Sequence, residues 1–142
     1  VCDATTDAEL QQFYLSELEL LLGTNENEVA TSLLMFTQGL EAFDDYLTLL
    51  EWFEELLEAA ELTEHVQLAS FHPHYQFDGV AAGDLSHFTN RSPYPTIHLL
   101  RQDQMTKVLA HVSDPEKIYL DNIETLNRLG RGQVEALCPW GK

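Results

Sequence analysis

Leu10, Phe13, Tyr14, Leu18, Leu21 and Leu22 recur mostly at intervals of three and four, the spacing that gathers apolar side chains on one face of a helix. Thr5 and Thr6 stand ahead of the run as candidate caps, Asp7 and Glu9 suit the positive end of the helix dipole, and Gly23 closes it. The preceding Val1–Thr6 reads as the tail of a strand. After the polar turn Thr24–Glu28, the segment Ala30–Phe36 reads as a short buried strand. Leu40–Leu62 then predicts one continuous helix, with Phe43, Tyr46, Leu47, Leu50, Phe53, Leu57 and Ala60 on its buried side. Glu41, Asp44, Asp45, Glu51, Glu54, Glu55, Glu58 and Glu61 crowd its other positions. With no Lys or Arg at i±4 these carboxylates repel one another, so burial of the apolar face must hold the helix.

Two β-prone runs follow, Val66–His72 and Thr96–Arg101, bounded by Pro73 and Pro95. An antiparallel pairing with His72 opposite Thr96 puts Ser70, His72, Thr96 and His98 on one face of the sheet. His72 and His98 then lie roughly 7–8 Å apart by backbone position, within joint reach of a small ligand. The 23 residues between the runs, Pro73 to Pro95, show neither helical nor strand periodicity but carry Tyr75, Phe77, Phe88 and Tyr94. That is too aromatic for disorder, and predicts an ordered loop folded over a site. Further on, Asp103–His111 reads as a short helix with Met105, Val108 and Leu109 inward. Ser113-Asp114-Pro115-Glu116 starts another, Leu120–Leu129 continues it to Gly130, and Gln133–Leu137 forms a last turn. The order of elements predicts a single domain over residues 1–142 of class α/β, with α+β as the alternative. Its expected core is a mixed sheet of about four strands packed with helices, with the long loop between the last two strands.

Charge alters this picture more than overall composition does. The formal net charge is −17, and it is lopsided. Residues 1–90 hold 18 carboxylates and no Lys or Arg, whereas residues 91–142 hold six acidic and seven basic side chains. Nucleic acid is a poor partner for such a chain, because binding it takes phosphate-neutralising cations. Membrane insertion is not expected either, since no apolar run approaches the ~20 residues needed to span a bilayer. An intracellular setting, bacterial cytoplasm or organelle matrix, is the expectation. The two cysteines, Cys2 and Cys138, lie at opposite ends of the chain and form neither a CxxC pair nor a metal spacing. The acidic surface reads either as plain solubility through self-repulsion or as a docking face for a basic protein.

Candidate chemistry concentrates in the central stretch, which holds four of the six histidines and the first two arginines. His72-Pro73-His74 has strand-like HxH spacing. No carboxylate or cysteine stands at a matching ligand distance, so no metal site is expected. There is no GxSxG elbow, phosphate loop or dinucleotide fingerprint, and no cofactor is implied. What remains is an anion pocket with His72 and His98 as candidate catalytic groups and Tyr75, Asn90, Arg91, Ser92 and Arg101 as candidate ligand-binding groups, arginine suiting bidentate recognition of carboxylate or phosphate. The bland alternative is that Arg91 and Arg101 serve structure alone.

The runs ASFHPHYQFDG, TNRSPYPTIHLLRQ and NIETLNRLG resemble an uncharacterised family catalogued as domain of unknown function 1415, over essentially the whole chain. The resemblance carries family positions onto Phe71, His72, Pro73, Tyr75, Gln76, Phe77, Asn90 to Pro95 and His98 to Arg101. In that family the position of His74 varies, which weakens the HxH metal reading. Members begin with a further strand-and-helix segment bearing a Cys-Pro-Phe motif, so the resemblance implies that this chain starts just after that segment and that Cys2 is not that cysteine. It implies a fold and a site, not a reaction. Two functions are therefore carried forward: a domain with a His/Arg-lined pocket for a small anionic ligand, enzymatic or not, and a non-catalytic accessory subunit docking through its acidic surface onto a larger assembly.

Overall fold

The computed structural model describes residues 1–110, 112 and 114–140. Helix α1 spans Asp7–Gly23, strand β1 Thr31–Met35, helix α2 Phe43–Ala59, strand β2 Val66–Phe71 and strand β3 Thr96–Arg101. Helices α3 (Gln102–Leu109), α4 (Pro115–Leu129) and α5 (Arg131–Leu137) follow. The class is α+β: helices packed with a three-stranded antiparallel sheet of order β1-β3-β2. The expected mixed, four-stranded sheet is corrected on this point. The Val1–Thr6 segment contributes one parallel bridge, Cys2 to Phe36, with Cys2 N–H donating to Met35 O. Thr5 and Thr6 already turn the chain into α1, so too few residues remain to extend that bridge into a ladder.

The helix caps follow the sequence. Thr6 caps α1, accepting from Glu9 N–H while its hydroxyl donates to the Glu9 carboxylate. Asp114 caps α4 by accepting from Lys117 N–H, with Pro115 in the first turn. Helix α2 ends differently. Glu61 takes a positive φ of 58° and Leu62 N–H reaches back to Leu57 O, the closure usually made with glycine. The expected continuation of α3 to His111 and the restart at Ser113 lie outside the described residues.

One face of the sheet carries the core. Leu34 pairs with Ile97, and Leu99 sits between Ser32 and Leu68. Leu34, Ile97 and Leu99 are fully buried with Leu10, Tyr14, Leu18 and Leu21 of α1 and Tyr46, Leu49, Phe53 and Leu57 of α2. The Tyr14 and Phe53 rings stack at 4.0 Å, and the Tyr14 hydroxyl donates to Phe53 O, joining the two helices. Burial pushes the Tyr14 and Tyr46 phenols well above their usual range. On α2, Tyr46, Phe53 and Leu57 face inward as expected, but the inward stripe is rotated slightly from the expected set. Leu49 is buried and Leu47 is 40% exposed, while Phe43 and Leu50 are partly buried against the core. On α3, Val108 and Leu109 are exposed rather than inward and Met105 is half-buried. A helix that begins directly at the end of β3 is carried past the core before its second turn.

Candidate functional site

The register of β2 on β3 decides the geometry of the central motifs. Phe71, not His72, is opposite Thr96, and Ala69 is opposite His98. This is one residue from the expected pairing, and with a side-chain period of two a one-residue slip moves a residue to the other face. His98 therefore shares a face with Ala69 and Leu33, while Ser70 is opposite Ile97 on the core side. His72, just past the strand, follows the core-side parity. The two histidines do not converge on one ligand.

His72 is fully buried and both ring nitrogens are engaged. Its Nδ1 accepts from His74 N–H at 3.0 Å, which places the proton on Nε2, donating to Leu40 O at 2.9 Å. Burial, with His74 nearby, pushes its pKa down although the Leu40 bond acts the other way. The ring lies 5.1 Å from Tyr46 and 5.2 Å from Phe43, so α2 supplies its walls. His87 repeats the arrangement inside the long loop. It is fully buried, Nδ1 accepts from Phe77 N–H at 3.1 Å and Nε2 donates to Ala81 O at 2.9 Å. Each histidine thus pins a turn of main chain.

Asn90 ties this loop to the sheet. Its Nδ2 donates to Ser70 O, its main-chain carbonyl accepts from His72 N–H, and its Oδ1 accepts from Thr89. It follows the 3-10 turn Leu85–Thr89, which Asp84 caps by accepting from Ser86 N–H. Tyr75 lies between Phe43 and Phe77, at 5.3 and 5.0 Å between ring centroids, with its hydroxyl 3.3 Å from the Ser70 hydroxyl. The Ser92 hydroxyl donates to Tyr94 O at 2.6 Å, and the Thr96 hydroxyl donates to the same oxygen. The Arg91 guanidinium sits 4.3 Å over the Phe88 ring, and its Nε donates to Tyr75 O at 3.4 Å. Burial, then the nearby Arg131, push its pKa down, Cys138 and Glu135 opposing.

Arg101 and His98 stand apart from this cluster. Thr96 and Arg101 are at opposite ends of a six-residue strand, about 17 Å by strand rise. Arg101 donates to Val29 O, Thr24 O and Leu21 O, the last two being carbonyls at the carboxyl end of α1. Helix α1 has no basic residue of its own there, so Arg101 supplies the cation its dipole and orphan carbonyls call for. His98 Nε2 bonds to the Thr31 hydroxyl, which itself donates to Leu99 O. Burial lowers the His98 pKa.

The structure thus brings His72, Tyr75, Asn90, Arg91 and Ser92 into one neighbourhood and leaves His98 and Arg101 outside it. Within it both ring nitrogens of His72, the Asn90 Nδ2 and the Ser92 hydroxyl are directed at main chain, and Asn90 Oδ1 is taken by the Thr89 hydroxyl. Sequence reading placed Tyr46 on the buried side of α2 but gave its hydroxyl no role, and it overlooked the Leu40 carbonyl. The Tyr46 hydroxyl donates to Thr96 O and accepts from Phe71 N–H, and so stitches β2 to β3 where the strands begin to part. A tyrosine on the buried side of an otherwise Leu- and Phe-rich stripe is the signal that could have marked it.

The surface carries two recesses of note, the first beside this neighbourhood and the second toward the Val66 end of β2, away from it. One, of about 230 Å3, lies among Phe36, Leu40, Glu41, His74, Tyr94 and Pro95. The other, about 570 Å3, is an open groove between α2 and β2, lined by Glu51, Glu54, Glu55, Glu58 and by Val66, Gln67 and Leu68. Lys107, Lys117 and Arg131 all pair with carboxylates elsewhere, so among the described residues none of these four glutamates is in an ion pair. Among the described residues no group of His, Cys, Asp and Glu converges as a metal site would, and no helix there is long and apolar enough to cross a membrane.

Fold and site together define a small acidic α+β domain whose long loop is braced by buried histidines. The chain belongs to the family described as protein of unknown function (DUF1415), whose model matches residues 1–136. No curated protein and no solved structure matches it.

Proposed function

We propose that this chain is a non-catalytic docking subunit that presents the acidic flank of α2 to a basic surface on a partner protein. The observation that carries this reading is the α2 groove: four glutamates around a cleft of about 570 Å3, on a stretch of 90 residues without a Lys or Arg. Uncompensated like charges cost stability, and a cationic partner turns that cost into attraction and a faster encounter. A second support is the use made of the motif residues. Ring nitrogens, amides and hydroxyls spent on main-chain carbonyls and N–H groups are what a rigid platform needs, and they leave few donors for a substrate.

The test is the hydrodynamic mass of the endogenous protein in native extract at low and high salt. A docking subunit elutes at low salt well above the mass of its own polypeptide, read from the same fractions by denaturing electrophoresis, and moves toward that mass when surface charge is screened. Elution at the mass of a free chain under both conditions overturns the reading.

The recess beside Tyr94 supports a second reading, a small-ligand pocket. Its size suits only a small molecule, and Glu41 and His74 are its ionisable groups. The anionic ligand first expected would have to engage Arg91 at the side of this neighbourhood. A melting-temperature increase with a carboxylate or phosphate panel, lost in Arg91→Ala, is the result that would favour it.

A further inference from the structure

The groove beside α2 has a main-chain wall as well as an acidic one. β3 occupies the centre of the sheet, so β2 is an edge strand. In an antiparallel strand the N–H and C=O of alternate residues point toward the neighbour and away from it. Three contacts show which residues of β2 point away. Val66 N–H bonds to Leu62 O, Ser70 O accepts from Asn90, and His72 N–H donates to Asn90 O. The outward set is therefore even-numbered. Between these anchors lie Val66 C=O, Leu68 N–H, Leu68 C=O and Ser70 N–H. Among the described residues no group beyond the sheet bonds to any of these four.

Exposed edges are normally blocked by a charged side chain on the strand, a proline, or a covering element. The sequence of β2, VQLASF, has no charge and no proline. Pro73 and Asn90 protect only its far end. The opposite edge of the sheet, β1, is covered at its end by the Cys2 segment. What guards the open part of β2 is the row Glu51, Glu54, Glu55 and Glu58 across the groove. Such a row repels an acidic strand, repels the matching α2 row that a second copy of this chain would bring with its own β2, and attracts a basic strand.

We infer that β2 binds an extended, lysine- or arginine-rich segment of a partner protein by strand addition, the segment pairing with Leu68 and flanking main-chain groups while its basic side chains reach the α2 glutamates. Main-chain bonds fix the register and depth of the segment, and charge selects it. Side chains on the α2 side of the added strand face the groove, so alternation of basic and β-branched residues is the pattern that fits. The inference rests on the docking reading given above and sharpens it from a surface to a mode of binding.

The experiment uses the whole chain and three synthetic ten-residue probes. One alternates lysine with valine; the second is the same sequence N-methylated at every other residue, so that its pairing edge has no donors; the third replaces lysine by glutamate. Binding is followed by fluorescence anisotropy and by amide exchange in nuclear magnetic resonance. The expected result is that the lysine peptide binds, with its affinity falling about tenfold or more on N-methylation and again in Glu54→Gln/Glu55→Gln. The glutamate peptide does not bind. Exchange slows at the Leu68 and Ser70 amides and stays unchanged at Ala69, whose N–H already points into the sheet. Equal binding of the methylated and unmethylated lysine peptides, or protection elsewhere than at Leu68 and Ser70, overturns strand addition while leaving charge-driven docking standing. Failure of both lysine peptides to bind, with the endogenous protein also running as a free chain, removes the docking reading with it. Concentration-dependent dimerisation that protects the same two amides in the absence of peptide assigns the edge to a second copy and overturns the inference.

Discussion

Replacement of Arg101 by alanine isolates what this residue does. Its guanidinium reaches three carbonyls, those of Leu21, Thr24 and Val29, on the segment that ends α1 and leads into β1. A hydrogen bond involving a charged group contributes ~1.5–3 kcal/mol. Simple addition overstates the loss here, because Arg101 is half-buried and water can rehydrate carbonyls exposed by the truncation. A loss of about 2–4 kcal/mol is the reasoned figure. An unfolding entropy of ~2.1 cal/mol/K per residue over this chain gives about 0.3 kcal/mol/K, so 3 kcal/mol is a fall in Tm of roughly 10 °C. Arg101→Lys keeps the charge, but a single ammonium cannot span three divergent carbonyls, and should lose about half as much. Differential scanning calorimetry of the three proteins measures this directly. A melting point within about 2 °C of wild type in Arg101→Ala, together with a ligand-dependent shift present only in wild type, would falsify the structural assignment and return Arg101 to a binding site.

Tyr46→Phe should cost about 2 kcal/mol in urea unfolding, since the Phe71 N–H and Thr96 O that share the hydroxyl are left without it; a change below ~0.5 kcal/mol would mean the strands close on each other unaided. Glu61→Gly should stabilise by about 1 kcal/mol, because glycine takes the positive φ freely and an acid leaves the negative end of α2; unchanged or lower stability in the same assay would count against strain at this turn. Stability should also fall as the solution is acidified below pH ~6.5. His72 and His98 have folded-state pKa values held down by burial, so the unfolded chain takes up their protons first, and the stability is whole above the unfolded value and drains as pH drops toward the folded ones. Urea midpoints at pH 7.5 and 5.5 measure it. His98→Gln should flatten the slope, and a midpoint that holds or rises on acidification in wild type contradicts the assignment.

Helices and caps were legible because their signals are local. Thr6 before α1, Asp114 before Pro115, and Gly130 with its positive φ at the end of α4 each act within one turn of the residue they govern; Gly23 marks the end of α1 only as its last helical residue. The rotation of α2 that buries Leu49 instead of Leu47 was not legible, because both lie within a broad apolar stripe and only the position of the sheet chooses between them. The register of β2 failed for a related reason. A short hairpin would have fixed it through turn geometry, but 24 residues separate Phe71 from Thr96, and no local rule distinguishes Phe71 from His72 as the partner. The candidate site suffered most from this. The histidines and arginines of the motifs were seen, and their neighbours were not: Leu40 O is 32 residues from His72 and Leu21 O is 80 from Arg101. Chemistry-bearing side chains that bind distant main chain look, in sequence, the same as ones that bind a ligand.

The central place of β3 has a consequence for how the chain comes into being. Its two neighbours, β1 and β2, are both synthesised earlier and do not touch each other, so no part of the sheet can exist until residues 96–101 are made. At 5–20 residues per second the first strand waits roughly 3–13 s for its partner. Through that interval α1 and α2 carry exposed Leu, Phe and Tyr stripes with only each other to cover. A nascent chain in this condition invites aggregation and chaperone capture, and an unbroken excess of negative charge across its first 90 residues keeps neighbouring copies on a polysome apart until β3 arrives to close the fold.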